Sequence, residues 1–259
     1  MRFAEFALGS LVAAALFIAA SPEVQAAPDE IQVYTEELND PGQYGLELHV
    51  NYALKGAKTA SYEGEMLSHH RLQVTPEFSY GLTKTLEAGL YLPAARSAEG
   101  NIYGNGVRLR LKYIAPREEG ARFFWGLNGE LGRSAHRVSD SAIGLELRPI
   151  IGYRDADWLI SFNPILDLDL SSGFSREPKF EPALKVARKA AEGFHAGLEY
   201  YGEFGPLHHR LPASERAHYI YAVADVETKS FDINFGIGRG IENASDQWVA
   251  KAIISFPFK

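Results

Sequence analysis

Along most of this chain apolar and polar residues alternate with a period of two, the spacing of a strand that shows an apolar medium one face and water the other. In residues 46–54, Leu46, Leu48, Val50, Tyr52 and Leu54 alternate with Glu47, His49, Asn51 and Ala53. In residues 107–113, Val107, Leu109, Leu111 and Tyr113 alternate with Arg108, Arg110 and Lys112. The pattern predicts twelve strands, at 46–54, 72–80, 86–92, 107–113, 123–131, 143–153, 158–170, 180–186, 194–200, 219–223, 231–237 and 248–258. Taken every second residue, one face of each carries no charged side chain; in 219–223 that face is assigned Tyr219, Tyr221 and Val223. The other face carries Glu47, Glu77, Glu87, Glu130, Glu146, Lys251 and many further charges.

A soluble sandwich alternates in the same way, so the connectors decide. They are short at 81–85, 114–122, 154–157, 187–193 and 224–230, and mostly longer at 55–71, 93–106, 132–142, 171–179, 201–218 and 238–247. Short turns at one end and long loops at the other are the arrangement of an outer-membrane barrel. Outward aromatics (Tyr80, Tyr113, Tyr153, Trp158, Phe194 and Phe258) gather at the short-turn end, as an interfacial belt does. Many of the strands are long enough for the roughly 9–11 residues of a tilted membrane strand, against about 5–6 in a typical globular sheet. Pro76, Pro149, Pro164 and Pro182 fall on the apolar face and each lacks a ladder donor; they are expected at bulges or strand ends. The predicted fold is all-β, a transmembrane antiparallel up-and-down β-barrel of about 12 strands.

Composition adds a compartment. Residues 1–26 (Arg2, an apolar run from Leu8 to Ala20, then Val24-Gln25-Ala26) form a secretory signal peptide with cleavage expected after Ala26. The whole chain carries net charge −7; without Arg2, Glu5 and Glu23 it has 25 basic and 31 acidic side chains, net −6. Residues 27–45 hold Asp29, Glu30, Glu36, Glu37 and Asp40 and no basic residue, and are read as a periplasmic tail or as a plug against the Arg108–Lys112 ladder; 46–259 are the barrel. The mean hydropathy of −0.17 is what a lipid-facing half and a charged lumen-facing half average to.

The stretches TPEFSYGLTKTLEAGLYLP, LELRPIIGYR, FNPILDLDL and FDINFGIGRGIENASDQWVAKAIISFPF resemble an uncharacterised family of Gram-negative outer-membrane β-barrel proteins, porin-like or transporter-like. The resemblance implies the cell outer membrane as location, with outer-membrane lipid and the outer-membrane assembly machinery as partners. It brings no catalytic residues and no substrate.

Candidate chemistry lies in the lumen. Arg108, Arg110 and Lys112 make a basic ladder, Arg148 lies two strands away, and Asp167, Asp169, Glu181 and Glu199 make an acidic wall. Walls of unlike charge would orient dipolar or anionic solutes in a pore; paired with one another they would only brace it. The expected function is a passive channel for small polar solutes, with a closed structural or surface-binding barrel and a rim-site lipid-modifying hydrolase as alternatives. The chain has no GxSxG, HExxH or phosphate loop, and no cofactor, metal or nucleic acid is expected. Adjacent pairs such as His208-His209 are poor two-ligand motifs on an extended chain, and His49 and His195 stand isolated in the sequence.

Overall fold

The computed structural model describes residues 30–257; the expected signal peptide, residues 27–29 of the acidic segment and Phe258 lie outside the described residues. Twelve antiparallel strands close on themselves: β1 (Tyr44–Lys55), β2 (Leu72–Thr83), β3 (Leu86–Tyr91 and Ala94–Arg96), β4 (Ile102–Gly104 and Gly106–Ile114), β5 (Phe123–Ser134), β6 (Ile143–Arg154), β7 (Trp158–Asn163 and Leu166–Asp169), β8 (Lys179–Phe180 and Ala183–Ala191), β9 (Phe194–Glu203), β10 (Ala217–Glu227), β11 (Asp232–Gly240) and β12 (Trp248–Pro257). Each pairs with the next, and β12 returns to β1 with Asn51 opposite Lys251, so the sheet has no free edge. Closure satisfies every ladder within the sheet, which is what a strand needs in a bilayer without water.

The period-two pattern sorts side chains as expected. Outward Leu109 is 60% exposed and Leu198 58%, while inward Glu130 and Glu199 are each 2% exposed. One strand corrects the reading. On β10, Tyr219, Tyr221 and Val223 face inward, opposite the inward Glu199 in register with Tyr221, and Ile220 and Ala222 face lipid. Both faces of 219–224 are apolar, so alternation alone does not mark the lumen; Asp225, two residues beyond Val223 on the same face, does.

The prolines divide into two kinds. Pro164 and Pro182 interrupt neighbouring strands at the same height: Asn163 pairs with Ala183 below the gap and Leu166 with Phe180 above it, so the register continues across. Pro76 and Pro149 sit inside strands of unbroken register, opposite Leu48 and Leu127, and not at the bulges or ends expected. Pro76 lies where β3 is itself interrupted, and its carbonyl accepts the Leu92 N–H at 3.0 Å. The expected loop 93–106 is also shorter than predicted, because Ala94–Arg96 and Ile102–Gly104 extend β3 and β4 as a hairpin.

Two inward rings rest on glycines of the next strand. Phe124 lies over Gly152 and Tyr221 over Gly238, so closely that a Cβ at either glycine would enter the ring. At the long-loop end, loop 56–71 is fastened to its neighbours: Ser68 donates to Asp246 at 2.5 Å and Met66 N–H to the Arg137 carbonyl at 2.8 Å.

Candidate functional site

The barrel is not lined by its own wall alone. Residues 30–43 run inside it from the short-turn end, and Ile31, Val33 and Tyr34 are each no more than 5% exposed. The three apolar clusters of the interior each contain one of them. Ile31 packs with Tyr219, Tyr221, Val223 and Val249, Val33 with Ile165 and Ala183, and Tyr34 with Ile114, Phe124, Ile150 and Leu159. A polar strip would not dock here. Ile31, Val33, Tyr34 and Leu38, set among Glu30, Gln32 and Glu37, supply the apolar contacts, and burial of this kind is stabilising at roughly 25 cal/mol per Å².

Polar groups of the wall complete the docking. Tyr34 N–H donates to Asn163 Oδ1 at 2.6 Å, and its carbonyl accepts from Ser161 Oγ at 2.6 Å and Asn163 Nδ2 at 3.1 Å. Its hydroxyl lies 2.5 Å from the Tyr91 hydroxyl and donates to Glu130 Oε1 at 2.9 Å. Arg148 donates to the Gln32 carbonyl at 3.1 Å, Lys251 to the Ile31 carbonyl at 3.0 Å and Lys112 to the Glu37 carbonyl at 2.8 Å. Glu30 lies 3.7 Å from Arg148 and 4.0 Å from Arg108; Glu36 lies 2.8 Å from Arg154 and 3.3 Å from Arg117. Glu37 joins Arg154 at 2.8 Å. The buried carbonyls of this irregular segment and the Glu36 carboxylate thus find the donors that buried polar groups require, whereas the two Glu30 oxygens accept no hydrogen bond and are held at ion-pair distance alone.

Two cavities flank this arrangement. One of about 410 Å³ opens among Gln32, Thr35, Glu37, Asn39, Glu47, Glu77, Arg110, Lys112, Arg154 and Asp225. Another of about 550 Å³ lies under the long loops, among Tyr62, Glu65, Arg71, Arg108, Asp140, Lys179, Glu203 and Leu211.

The chain has the fold of solved outer-membrane porins. An outer-membrane channel from Pseudomonas putida F1 superposes with a TM-score of 0.60 over 88% of this chain and 100% of that one, at 12% identity. The KdgM porin gives 0.57 over 83% and 99% at 7% identity, and the NanC porin 0.55 over 83% and 99% at 11%. At the level of sequence, no family model and no curated protein matches the chain. Likeness at this distance shows the fold, an outer-membrane β-barrel, and leaves the role of each residue to its own surroundings.

Most of the sequence-level candidates are held by ion pairs. Arg110 contacts Glu87 on the adjacent β3 at 2.7 Å and Glu77 on β2, one strand further, at 2.6 Å, acids of the same side of the barrel and not of a facing wall. Arg108 reaches Glu130 at 3.8 Å as well as Glu30, and Arg148 is held by Glu146 at 2.7 Å. Asp169 takes Lys179 at 2.7 Å, with Asp167 directly opposite Lys179 in the ladder. Glu199 is held by Lys185 at 3.4 Å, by Lys251 and by the Tyr201 hydroxyl at 2.7 Å. Glu181 sits at the Pro182 break, where its N–H donates to the Ile165 carbonyl at 3.0 Å. Tyr34, Tyr91, Asn163 and Ser161 were not candidates, since uncharged residues become a site only when the segment lies on them.

His70, His208, His209 and His218 of the long-loop end are also engaged. His209 Nδ1 is 2.7 Å and His208 Nδ1 3.1 Å from the two oxygens of Glu177. The His209 ring and the His208 backbone N–H hold the Glu177 carboxyl below its usual range. His218 is hydrogen-bonded with the Tyr200 hydroxyl at 2.7 Å and His70 with Tyr52 at 3.1 Å. His49, isolated in sequence, meets Glu77 at 3.1 Å across the β1–β2 ladder.

Proposed function

We propose that the protein is a passive outer-membrane channel for small polar solutes, closed by its own N-terminal segment and favouring anions once that segment leaves. One observation carries the reading: Glu30 to Tyr34 are bonded to the wall on several sides, with a cavity toward each end of the barrel. Each cavity is the size of a small-molecule site, and their linings are rich in charged and polar groups.

The ion pairs support the direction of selectivity. The segment carries Glu30, Glu36 and Glu37, which engage Arg108, Arg148, Arg117 and Arg154. Its departure removes those acids and also frees Lys112 and Lys251 from backbone carbonyls. Arg110 keeps Glu77 and Glu87, Asp169 keeps Lys179, and Glu199 keeps Lys185 and Lys251, while Arg108, Arg148, Arg117 and Arg154 each lose an acid. A lumen with excess positive potential concentrates anions. No chemical step is assigned to the rim, where Ser68 is committed to Asp246 and His208 and His209 to Glu177.

Flux into liposomes tests this. With residues 27–43 deleted, small organic anions are expected to enter faster than cations of the same size. Entry of neither, or preferential entry of cations, overturns the proposal.

A further inference from the structure

Glu47 and Glu77 face each other directly across the β1–β2 ladder, with His49 opposite Thr75 in the next rung. Like charges placed opposite one another destabilise a sheet, and here both carboxylates point into the interior. His49 Nε2 lies 3.1 Å from Glu77 Oε2 and 3.8 Å from Glu47 Oε2, and the three ligand atoms all lie within 4.8 Å of one another. A tetrahedral ion with bonds of about 2.0–2.1 Å sets its ligand atoms roughly 3.3 Å apart. These separations bracket that value.

We propose that Glu47, His49 and Glu77 bind one divalent transition-metal cation on the wall of the cavity at the short-turn end. The donor set, one imidazole nitrogen and two carboxylate oxygens, is that of zinc and its first-row neighbours. Charge agrees with this: Glu47 and Glu77 are like charges placed opposite each other, Arg110 reaches Glu77 and Glu87 but makes no ion pair with Glu47, and a divalent cation between the two facing carboxylates offsets their repulsion.

The supporting shell is in place. Glu77 turns Oε1 to Arg110 and Oε2 to His49, so one oxygen is oriented while the other binds. Ser255 donates to Glu47 Oε1 at 2.9 Å, leaving Oε2 toward His49. Partners of this kind orient metal ligands. Thr75 is fully buried opposite His49, and its hydroxyl has no hydrogen-bond partner. Gln32 of the inner segment donates to Glu47 Oε2 at 3.1 Å, so the ion would sit against that segment. Binding replaces any proton on His49 Nε2 and releases it to solvent. None of this requires a solute to pass through the barrel.

Calorimetric titration of the chelator-stripped, detergent-purified protein with Zn²⁺ tests the site. The full chain is expected to bind Zn²⁺, with His49→Gln and Glu47→Gln each weakening it roughly tenfold or more, and with His209→Ala, at the exposed Glu177 cluster, leaving it unchanged. No binding, undiminished binding in both lumen variants, or loss in His209→Ala overturns the proposal. Should both lumen variants fail to fold, anomalous diffraction from Zn²⁺-soaked crystals of the unaltered chain decides. A peak about 2.0–2.2 Å from the three ligand atoms upholds it, and a peak only elsewhere overturns it.

Discussion

The hydroxyl of Tyr34 lies 2.5 Å from that of Tyr91, joining the N-terminal segment to β3 in the buried interior of the barrel. The same hydroxyl donates to Glu130 on β5, and the backbone of Tyr34 is held by Asn163 and Ser161 on β7. One residue therefore ties three separated parts of the wall together.

Tyr34→Ala removes that tie and the ring packed among Ile114, Phe124, Ile150 and Leu159. Loss of a buried aromatic costs about 3–5 kcal/mol, drawn here from docking of the segment, since the ladders of the barrel are untouched. The variant is expected to show more frequent channel openings, and Val33→Cys in its background to react with a membrane-impermeant maleimide that spares Val33→Cys alone. Tyr34→Phe, which leaves Glu130 and Tyr91 short of a partner, should be milder, costing about 1–3 kcal/mol.

Arg148 holds Glu146, the Gln32 carbonyl and Glu30, and its guanidinium lies 4.2 Å from the Tyr34 ring centroid. Arg148→Met strands buried acids and is expected to cost about 3–5 kcal/mol, read as a lower temperature for the heat-induced gel shift. In a chain lacking residues 27–43 the cost should be smaller, because Glu30 has gone as well; additive costs would deny the coupling.

Gly238→Ala pushes a methyl group into the Tyr221 ring, which is also part of the surface under Ile31. Overpacking of this kind costs about 1–3 kcal/mol. The heat-induced gel shift should again move to lower temperature, whereas an equivalent substitution at Gly104, where a Cβ meets nothing, should leave it in place.

At the turn between β6 and β7, Asp155 accepts from the Tyr153 hydroxyl at 2.6 Å and from the N–H groups of Asp157 and Trp158 at 2.9 and 2.8 Å. These bonds, the Tyr153 hydroxyl first, lower its carboxyl from 3.8 to about 2. A lowered carboxyl stabilises the fold above its unfolded value and loses that contribution as pH falls from there through its folded one. The turn should therefore loosen between about pH 4 and pH 2, as carboxyl NMR titration would show, and Asp155→Asn should abolish that dependence.

The barrel is legible in the sequence because each strand has one face fixed by lipid: no charge interrupts 107, 109, 111 and 113, and Arg108, Arg110 and Lys112 fall on the other side. Legibility fails where the lumen is itself apolar. Tyr219, Tyr221 and Val223 face inward because Ile31 covers them, and that contact joins residues nearly 190 positions apart. The acidic composition of 27–45 marked the segment, yet what docks it is Ile31, Val33 and Tyr34, each unremarkable alone. The ladder and wall charges were found by parity, but their partners depend on register. Arg110 reaches Glu77 past β3, and His49 meets Glu77 only because β1 and β2 pair with Glu47 opposite Glu77.

Single-channel recording in a planar bilayer, comparing the full chain with one lacking residues 27–43, tests the central claim most directly. The account predicts that the full chain is closed or opens rarely, and that the shortened barrel, still heat-modifiable, conducts steadily with a reversal potential favouring anions. A shortened, folded barrel whose conductance equals that of the full chain would contradict it.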